Sequence, residues 1–276
     1  MTTLTCPVCP HHCRLNPGTT GLCRARANQN DQLVCLNYGL LTSLALDPIE
    51  KKPLARFHPG SQILSVGSFG CNFHCPFCQN HEISMAGLQT YNLSRISPEQ
   101  LAAQAVQLKP RGNLGLAYTY NEPLISYEFI LDTGKLIHEA RMLNVVVTNG
   151  GACVEIARLL KGTVDAYNID LKGFTQKFYD QLGGNLAAVQ AFIQEALTYA
   201  HVELTTLIIP GENDTAEEME HLSAWVASLS PEIPLHVSRF FPRYLKQDLP
   251  ATPVDRVYQL AALARKRLRY VYTGNC

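Results

Sequence analysis

Short apolar segments that alternate with helix-like segments dominate the chain and restrict its fold more than any other feature. Each apolar segment is rich in β-branched or aromatic residues, as the strands of buried parallel sheets are. Helices between consecutive strands imply right-handed βαβ units in one parallel sheet. An open doubly wound sheet and a partial barrel both satisfy this pattern. The six predicted strands cover residues 63–67, 114–119, 145–148, 166–170, 202–209 and 235–240, and a further apolar run follows at 270–272.

Two of the intervening segments carry signals for the beginning of a helix. Ser97 is followed by Pro98 and then by Gln100, which predicts an N-cap with a capping box. Thr215 and Glu218 show the same spacing before a stretch of periodic apolar residues. Both positions lie between predicted strands, which agrees with the βαβ interpretation.

The first 60 residues differ from the rest of the chain. They contain several prolines and glycines and four close cysteines, with little periodicity. A segment of this size cannot bury a core of its own, so it needs a metal or a neighbouring domain to hold it in place. The sequence therefore predicts a small cysteine-rich appendage over residues 1–60 and an α/β domain over residues 61–276.

Charge and hydropathy exclude several classes of protein. Lys plus Arg and Asp plus Glu both total 23, and this zero net charge argues against a nucleic-acid binder that works through bulk charge. No window approaches the roughly 18 consecutive apolar residues of a membrane span, and the first residues do not resemble a signal peptide. We therefore expect a cytoplasmic protein with no nucleic-acid or membrane partner.

Three cysteines directly follow the first predicted strand. Cys71, Cys75 and Cys78 have the spacing C-x3-C-x2-C, and close cysteines in a reducing compartment indicate metal or redox chemistry. Structural zinc takes four ligands, so this triad is one short unless His74 or His81 joins it. A four-iron cluster held by three thiolates keeps one iron open, and that iron can bind the amine and carboxylate of an amino acid. The spacing and position favour the iron–sulfur cluster over a zinc knuckle.

The triad and several other stretches resemble the radical S-adenosylmethionine (SAM) enzymes. The loop has the C-x3-C-x-aromatic-C pattern of that superfamily, with Phe77 in the aromatic position. The chain further resembles the branch of pyruvate formate-lyase activating enzymes and, most closely, the radical SAM enzyme of the AmmeMemoRadiSam system. The stretches that carry this resemblance are residues 47–54, 70–73, 77–80, 118–123, 170–172 and 270–275.

The resemblance implies a fold and a reaction. The fold is a partial (β/α)6 TIM-type barrel that carries a [4Fe–4S] cluster and SAM. In the reaction, an electron from a low-potential donor such as flavodoxin or ferredoxin cleaves SAM to methionine and a 5′-deoxyadenosyl radical, which abstracts a hydrogen atom. Two substrates stay open: a backbone glycine of a partner glycyl-radical enzyme, and a small molecule or side chain handled with AmmeMemoRadiSam partner proteins.

Polar residues at the ends of the other predicted strands complete the candidate site, because α/β enzymes place their chemistry there. The resemblance implies that Glu122 reaches the amino group of SAM and that Asp170 and Lys172 touch the cofactor. It also implies that His236 lies near the ribose. The alternatives are that Asp170 and Lys172 form a surface ion pair and that His236 is a structural histidine. The remaining candidate cofactor-binding residues are Phe77, Thr148 and Asn149.

The appendage has a cysteine group of its own. Cys6, Cys9, Cys13 and Cys23 supply four thiolates within eighteen residues, which suits structural zinc or a fully ligated iron–sulfur cluster. A closed zinc site would hold the appendage together, whereas a second cluster would relay electrons to the first. The sequence favours zinc slightly and leaves the metal open. A second class of function also stays open, namely a non-enzymatic zinc-binding scaffold or an electron-transfer protein.

Overall fold

The computed structural model describes residues 2–89 and 93–276. Eight strands form a central sheet, and all neighbours in it pair in parallel except at one edge. The strands within the described residues are β1 (Leu4–Thr5), β2 (Arg14–Leu15), β3 (Arg26–Gln29), β4 (Gln32–Cys35), β5 (Leu40–Leu41), β6 (Ser43–Pro48), β7 (Gln62–Gly67), β8 (Ser94–Arg95), β9 (Asn113–Tyr118), β10 (Leu143–Thr148), β11 (Ala166–Asp170), β12 (His201–Ile208), β13 (Leu235–Arg239) and β14 (Val271–Gly274). The six predicted strands are thereby confirmed, and β14 overlaps the further apolar run.

The central sheet has the order β14-β13-β12-β11-β10-β9-β7-β6. Strand β6 runs antiparallel to β7, and the other seven strands are parallel. The parallel strands follow one another in chain order without a reversal, as in a barrel and unlike a doubly wound sheet. The order ends at β14 and β6, so the sheet is a partial TIM-type barrel, as the resemblance implied. The sheet also extends beyond six parallel strands, because β14 adds a seventh.

Helices connect the parallel strands and pack their apolar faces on the sheet. No helix in residues 2–89 and 93–276 has the length and apolar character of a membrane-spanning segment. The α-helices of this part of the chain are α1 (His81–Ser84), α2 (Pro98–Gln107), α3 (Tyr127–Glu139), α4 (Val154–Leu159), α5 (Gln176–Leu182), α6 (Leu186–Ala196), α7 (Ala216–Leu229) and α8 (Val254–Ala264).

The two predicted helix starts are both present, but they differ in detail. At α2, the Ser97 side chain accepts from the Gln100 N–H and the Gln100 side chain accepts from the Ser97 N–H, which is a complete capping box. At α7, Thr215 accepts from the Glu218 N–H. The Glu218 carboxylate instead accepts from the backbone N–H of Phe174 at 2.6 Å. The Glu218 side chain therefore makes a tertiary contact and does not complete the capping box that the local pattern predicted.

The segment 49–57 packs against the face of the sheet that lies opposite the helices. The apolar side chains of this contact are Ile49, Leu54, Phe57, Ile63, Ala117, Val145 and Ala166. The buried carboxylate of Glu203 on β12 also holds the segment, because it accepts from the backbone N–H groups of Ala55 at 2.9 Å and Arg56 at 2.7 Å. This segment and β6 precede residue 60, so the sheet and its inner packing begin before the predicted domain boundary.

The cysteine-rich part of the chain consists of two small hairpins, β1 with β2 and β3 with β4. It packs on the α/β domain beside the triad. The backbone N–H of Cys153 donates to the Val8 C=O at 2.9 Å, and the His11 Nε2 lies 2.9 Å from the Asn72 C=O. The appendage is therefore held by the larger domain, as a segment without its own core must be.

Gly70, which precedes the first cysteine of the triad, packs closely against the appendage. Its φ is +86°, and a Cβ at this position would lie 2.4 Å from the Cys23 carbonyl oxygen. We expect Gly70→Ala to lower the free energy of unfolding by about 3 kcal/mol or more, through backbone strain and steric overlap together. Gly60→Ala is the matched control, since Gly60 has a φ of +83° but no atom within 4 Å of its Cβ position.

The control should lose only about 1 to 2 kcal/mol, the cost of the left-handed backbone conformation. Urea denaturation of the two variants and of the native protein measures both values. Equal losses at the two glycines would contradict the view that the contact with Cys23 is close-packed.

Candidate active site

The triad loop, residues 70–80, leaves the carboxyl end of β7 and is held by hydrogen bonds to distant segments. The His74 N–H donates to the Leu182 C=O at 2.9 Å, and the Leu245 N–H donates to the Pro76 C=O at 2.8 Å. These bonds fix the backbone on both sides of Cys75. The loop is therefore positioned by the fold and does not depend only on its own turn.

The thiols of the triad lie in a low-polarity environment. Cys75 is buried, and Cys71 and Cys78 are half-buried. Burial raises the pKa of Cys75 to about 12, although the nearby Lys172 ammonium acts in the opposite direction. Burial and the Glu122 carboxylate raise the pKa of Cys71 well above its usual range. A metal centre that binds here must therefore displace protons from the thiols.

Two N–H groups point at the sulfur of Cys71. The backbone N–H of Phe73 lies 3.4 Å from this sulfur, and the side-chain amide of Asn149 lies 3.6 Å from it. Hydrogen bonds to sulfur stabilise a thiolate ligand, and they tune the reduction potential of an iron–sulfur cluster. The surroundings of Cys71 therefore fit a cluster ligand.

The two histidines considered as a fourth zinc ligand lie elsewhere. His74 is exposed, while His81 bonds through Nδ1 to the Cys78 C=O at 3.3 Å and stacks on Tyr244 at 4.3 Å. Across residues 2–89 and 93–276, no three His, Cys, Asp or Glu side chains converge on a site for a single metal ion. In a [4Fe–4S] cluster each thiolate binds a different iron, so the ligands need not converge on one point. The donor set therefore fits the cluster better than zinc.

Glu122 is the centre of a buried hydrogen-bond network that follows β9. Its side chain is only 2% exposed. Oε1 accepts from the Thr148 hydroxyl at 2.7 Å and the Leu124 N–H at 3.0 Å, and Oε2 accepts from the Asn149 N–H at 2.8 Å. Burial raises the pKa of Glu122 to about 7, although these three donors act in the opposite direction. The structure thus brings together Glu122, Thr148 and Asn149, the candidates from two neighbouring strands.

The Asn149 side chain connects this network to the triad loop. Its amide donates to the Asn72 Oδ1 at 2.9 Å, and its Oδ1 accepts from the Gly151 N–H at 2.7 Å. The Asn72 amide donates to the Gly151 C=O at 2.7 Å. Asn72 is a site residue that sequence reasoning treated only as part of a motif. Nothing local marked its role, because its partner Asn149 lies 77 positions away.

Asp170 and Lys172 form an ion pair at the triad. The Lys172 Nζ lies 2.6 Å from the Asp170 Oδ2, and the side chains are 17% and 31% exposed, respectively. The Lys172 N–H donates to the Tyr179 hydroxyl at 3.1 Å, and its C=O accepts from the Asn213 amide at 2.7 Å. Because the Lys172 charge also acts on Cys75, the pair belongs to the same site as the triad. Sequence reasoning missed Tyr179, whose helix position carries no signal of this contact.

Phe77 and His236 make contacts outside the Glu122 network. Phe77 is buried and stacks on Phe178, with ring centroids 6.3 Å apart. The His236 Nε2 bonds to the Glu203 Oε2 at 2.7 Å, and its ring stacks on Tyr272 at 5.2 Å. The structure therefore places His236 beside a buried carboxylate that the sequence did not single out. Contact of His236 with the ribose of a cofactor stays a prediction.

Comparison with known sequences identifies what the chain is similar to. The model of the Radical SAM superfamily matches residues 65–225, which begin in β7 and include the triad, Glu122 and the ion pair. An uncharacterized protein of Methanocaldococcus jannaschii is 38% identical over 273 residues, and the alignment covers 98% of this chain and 80% of that protein.

Solved structures share the fold. A radical SAM methyltransferase from Sphaerobacter thermophilus superposes with a TM-score of 0.57 at 19% identity, over 79% of this chain and 67% of that one. A domain of a pyruvate-formate lyase-activating enzyme from Bacteroides vulgatus superposes with a TM-score of 0.51 at 17% identity, over 58% of this chain and 99% of that domain. At these identities the similarity concerns the fold alone.

Proposed function

Since the chain belongs to the radical SAM superfamily, we propose that it cleaves SAM reductively at a [4Fe–4S] cluster held by Cys71, Cys75 and Cys78. Hydrogen abstraction from a protein or small-molecule substrate then follows. The observation that carries the proposal is the triad loop itself, with N–H donors directed at Cys71 and with the Glu122 network beside it. A reduced flavodoxin or ferredoxin is the proposed electron donor.

The bound cluster and SAM supply one chemistry, in which a low-potential electron splits the sulfonium into methionine and a 5′-deoxyadenosyl radical. The residues of this chain hold the components. The three thiolates of the triad would ligate three of the four irons and would leave the fourth available to the amine and carboxylate of SAM. The Phe73 and Asn149 donors stabilise the thiolate of Cys71.

The polar side chains around the triad supply charges that match an amino acid. An ionised carboxylate has about four acceptor positions. Thr148, Leu124 and Asn149 use three of those of Glu122, and one is left for the SAM ammonium group. The adjacent Asp170–Lys172 pair offers both a carboxylate and an ammonium to the same ligand.

The binding of SAM should depend on pH because of Glu122. With a pKa of about 7 in the free protein, Glu122 is mostly protonated at pH 6 and mostly ionised at pH 8, and only the ionised form attracts an ammonium group. We therefore expect the affinity for SAM to be about tenfold weaker at pH 6 than at pH 8. Equilibrium binding of SAM to the reconstituted protein measures this. An affinity that does not change over this range would refute the role of Glu122.

The preferred substrate is a backbone glycine of a partner glycyl-radical enzyme. This choice rests on the Asp-x-Lys pattern of residues 170–172, which resembles the activating enzymes. The alternative is a small molecule or side chain handled together with AmmeMemoRadiSam partner proteins. A nucleic-acid substrate is disfavoured by the zero net charge.

The test is product analysis in the absence of oxygen. Reconstituted protein, SAM and a low-potential reductant should yield methionine and 5′-deoxyadenosine in equal amounts. S-Adenosylhomocysteine in their place would indicate methyl transfer, the activity in the name of the Sphaerobacter thermophilus protein. A reaction that forms none of these products would overturn the proposal. With a partner labelled with deuterated glycine, deuterium in the 5′-deoxyadenosine supports the activase role, and its absence refutes that role.

A further inference from the structure

The four cysteines of the appendage surround one cavity. Cys6, Cys9 and Cys23 are buried and Cys13 is half-buried. All four line one small cavity of about 10 Å³, which the triad cysteines do not line. The structure therefore gathers these four thiols around one cavity, although they span eighteen positions of the sequence.

Arg26 contributes a positive charge to the wall of the cavity. Its side chain is only 4% exposed, and its two Nη atoms pair with Glu128 at 2.8 Å. Within the described residues its Nε has no hydrogen-bond partner. A buried N–H group without a partner is costly, so this atom indicates a ligand that carries negative charge or acceptor atoms. Four thiolates with the inorganic sulfides of a cluster meet that requirement.

The size of the cavity favours a cluster over a single ion. Zinc lies about 2.3 Å from each of four cysteine sulfurs, so a closed zinc site leaves no space between its ligands. The cavity beside the thiols keeps about 10 Å³ of space for a water-sized sphere, which is more than a closed zinc site would leave. Within the described residues, neither these cysteines nor those of the triad converge on a site for a single metal ion. In a cluster each thiolate binds a different iron, so such convergence is not needed.

The cavity lies between the solvent and the triad loop. Leu22 in its wall is 64% exposed and marks the outer side. On the inner side, His11 bonds to the Asn72 C=O at 2.9 Å, and the Cys23 carbonyl packs against Gly70. Asn72 and Gly70 flank the first cysteine of the triad, so a group in the cavity would be next to the catalytic cluster.

We propose that this cavity holds a second [4Fe–4S] cluster, ligated by Cys6, Cys9, Cys13 and Cys23, that carries single electrons toward the triad. It accepts one electron from a reduced flavodoxin or ferredoxin and is oxidised again when that electron moves to the triad site, with no change of bonds or protons. Because all four irons have a cysteine ligand, this cluster has no open position for SAM. Its role as a carrier rests on the proposed function, but its presence does not.

Metal analysis of the native protein tests the proposal without any variant. After reconstitution with iron and sulfide in the absence of oxygen, the protein should contain about eight irons and no zinc. Electron paramagnetic resonance of the reduced protein should show two cluster signals, and SAM should shift only the one from the triad. About four irons together with only the signal that SAM shifts, with or without one zinc, would overturn the proposal.

Variants assign the two signals. Cys9→Ala and Cys23→Ala should each lose about four irons and retain the signal that SAM shifts. Cys276→Ala is the control, because this exposed cysteine lies outside both sites and its variant should retain about eight irons. Retention of eight irons in Cys9→Ala would refute the assignment. A native protein with only the signal that SAM does not shift would refute the proposed function and leave the second cluster standing.

The carrier role has a separate readout. Reduction of the triad cluster by a reduced flavodoxin should be at least about tenfold slower in Cys23→Ala than in the native protein, because the step through the second cluster is lost. Rapid-freeze electron paramagnetic resonance spectra measure this rate independently of SAM cleavage. An unchanged rate would refute the carrier role.

Discussion

Cys75→Ala protein should bind about four irons fewer than the native protein and should release no detectable 5′-deoxyadenosine from SAM. Two thiolates remain in this variant, and they cannot retain a cluster that the native loop holds with three. Cys75 is the buried member of the triad, and the backbone on both sides of it is tied to distant segments. The backbone of the loop is therefore held in place and cannot shift to bring a neighbouring residue into this position.

Two cysteine variants serve as controls for this result. Cys153 is half-buried near the appendage and Cys276 is exposed, and neither lies in the triad loop. Cys153→Ala and Cys276→Ala should keep the native iron content and the native yield of 5′-deoxyadenosine. Iron analysis and chromatography of the reaction products provide both measurements. Full activity in Cys75→Ala would contradict the assignment of the triad as the catalytic cluster site.

Glu122→Gln is expected to weaken the binding of SAM by about 10- to 100-fold at pH 8, because a hydrogen bond between charged partners contributes about 1.5 to 3 kcal/mol. Glutamine keeps the size of the side chain but loses its charge. Its NH2 group would also face one of the donors from Thr148, Leu124 or Asn149, so that a buried N–H or O–H loses its acceptor. We expect the pH dependence of SAM binding to disappear in this variant.

The matched control is Glu155→Gln, which removes the charge of a glutamate whose side chain is 68% exposed. It should bind SAM with native affinity at both pH 6 and pH 8. The discriminating measurement is the ratio of the two affinities for each protein. If Glu122→Gln kept the tenfold ratio, another group would be responsible for the pH dependence. Native affinity in Glu122→Gln at pH 8 would show that the carboxylate does not bind the cofactor.

The strands and the triad loop could be predicted because their signals are local. Each strand of the parallel sheet is a short apolar run, and burial on both faces requires that composition wherever the strand lies. The candidate ligands Cys71, Cys75 and Cys78 lie within eight residues, so only one turn of the chain is needed to bring them together. The cap at Ser97 was predictable for the same reason.

The connections between elements could not be predicted in this way. Asn72 bonds to Asn149 across 77 positions, and His236 bonds to Glu203 across 33 positions. Both pairs depend on which strands become neighbours and on the register of their pairing. Glu218 illustrates the same point. Its carboxylate accepts a hydrogen bond from the Phe174 N–H and does not complete the capping box that its spacing predicted.

The sequence by itself determined the alternation of strands and helices, the set of candidate cluster ligands and the resemblance to a superfamily, because composition and short spacings follow from the covalent chain. Only the tertiary structure decided that Glu122 holds two strand ends together and that four appendage cysteines share a cavity beside Gly70. These arrangements depend on side chains that meet by packing across the sheet. Their energies come from burial and from hydrogen bonds between distant residues, which no local pattern contains.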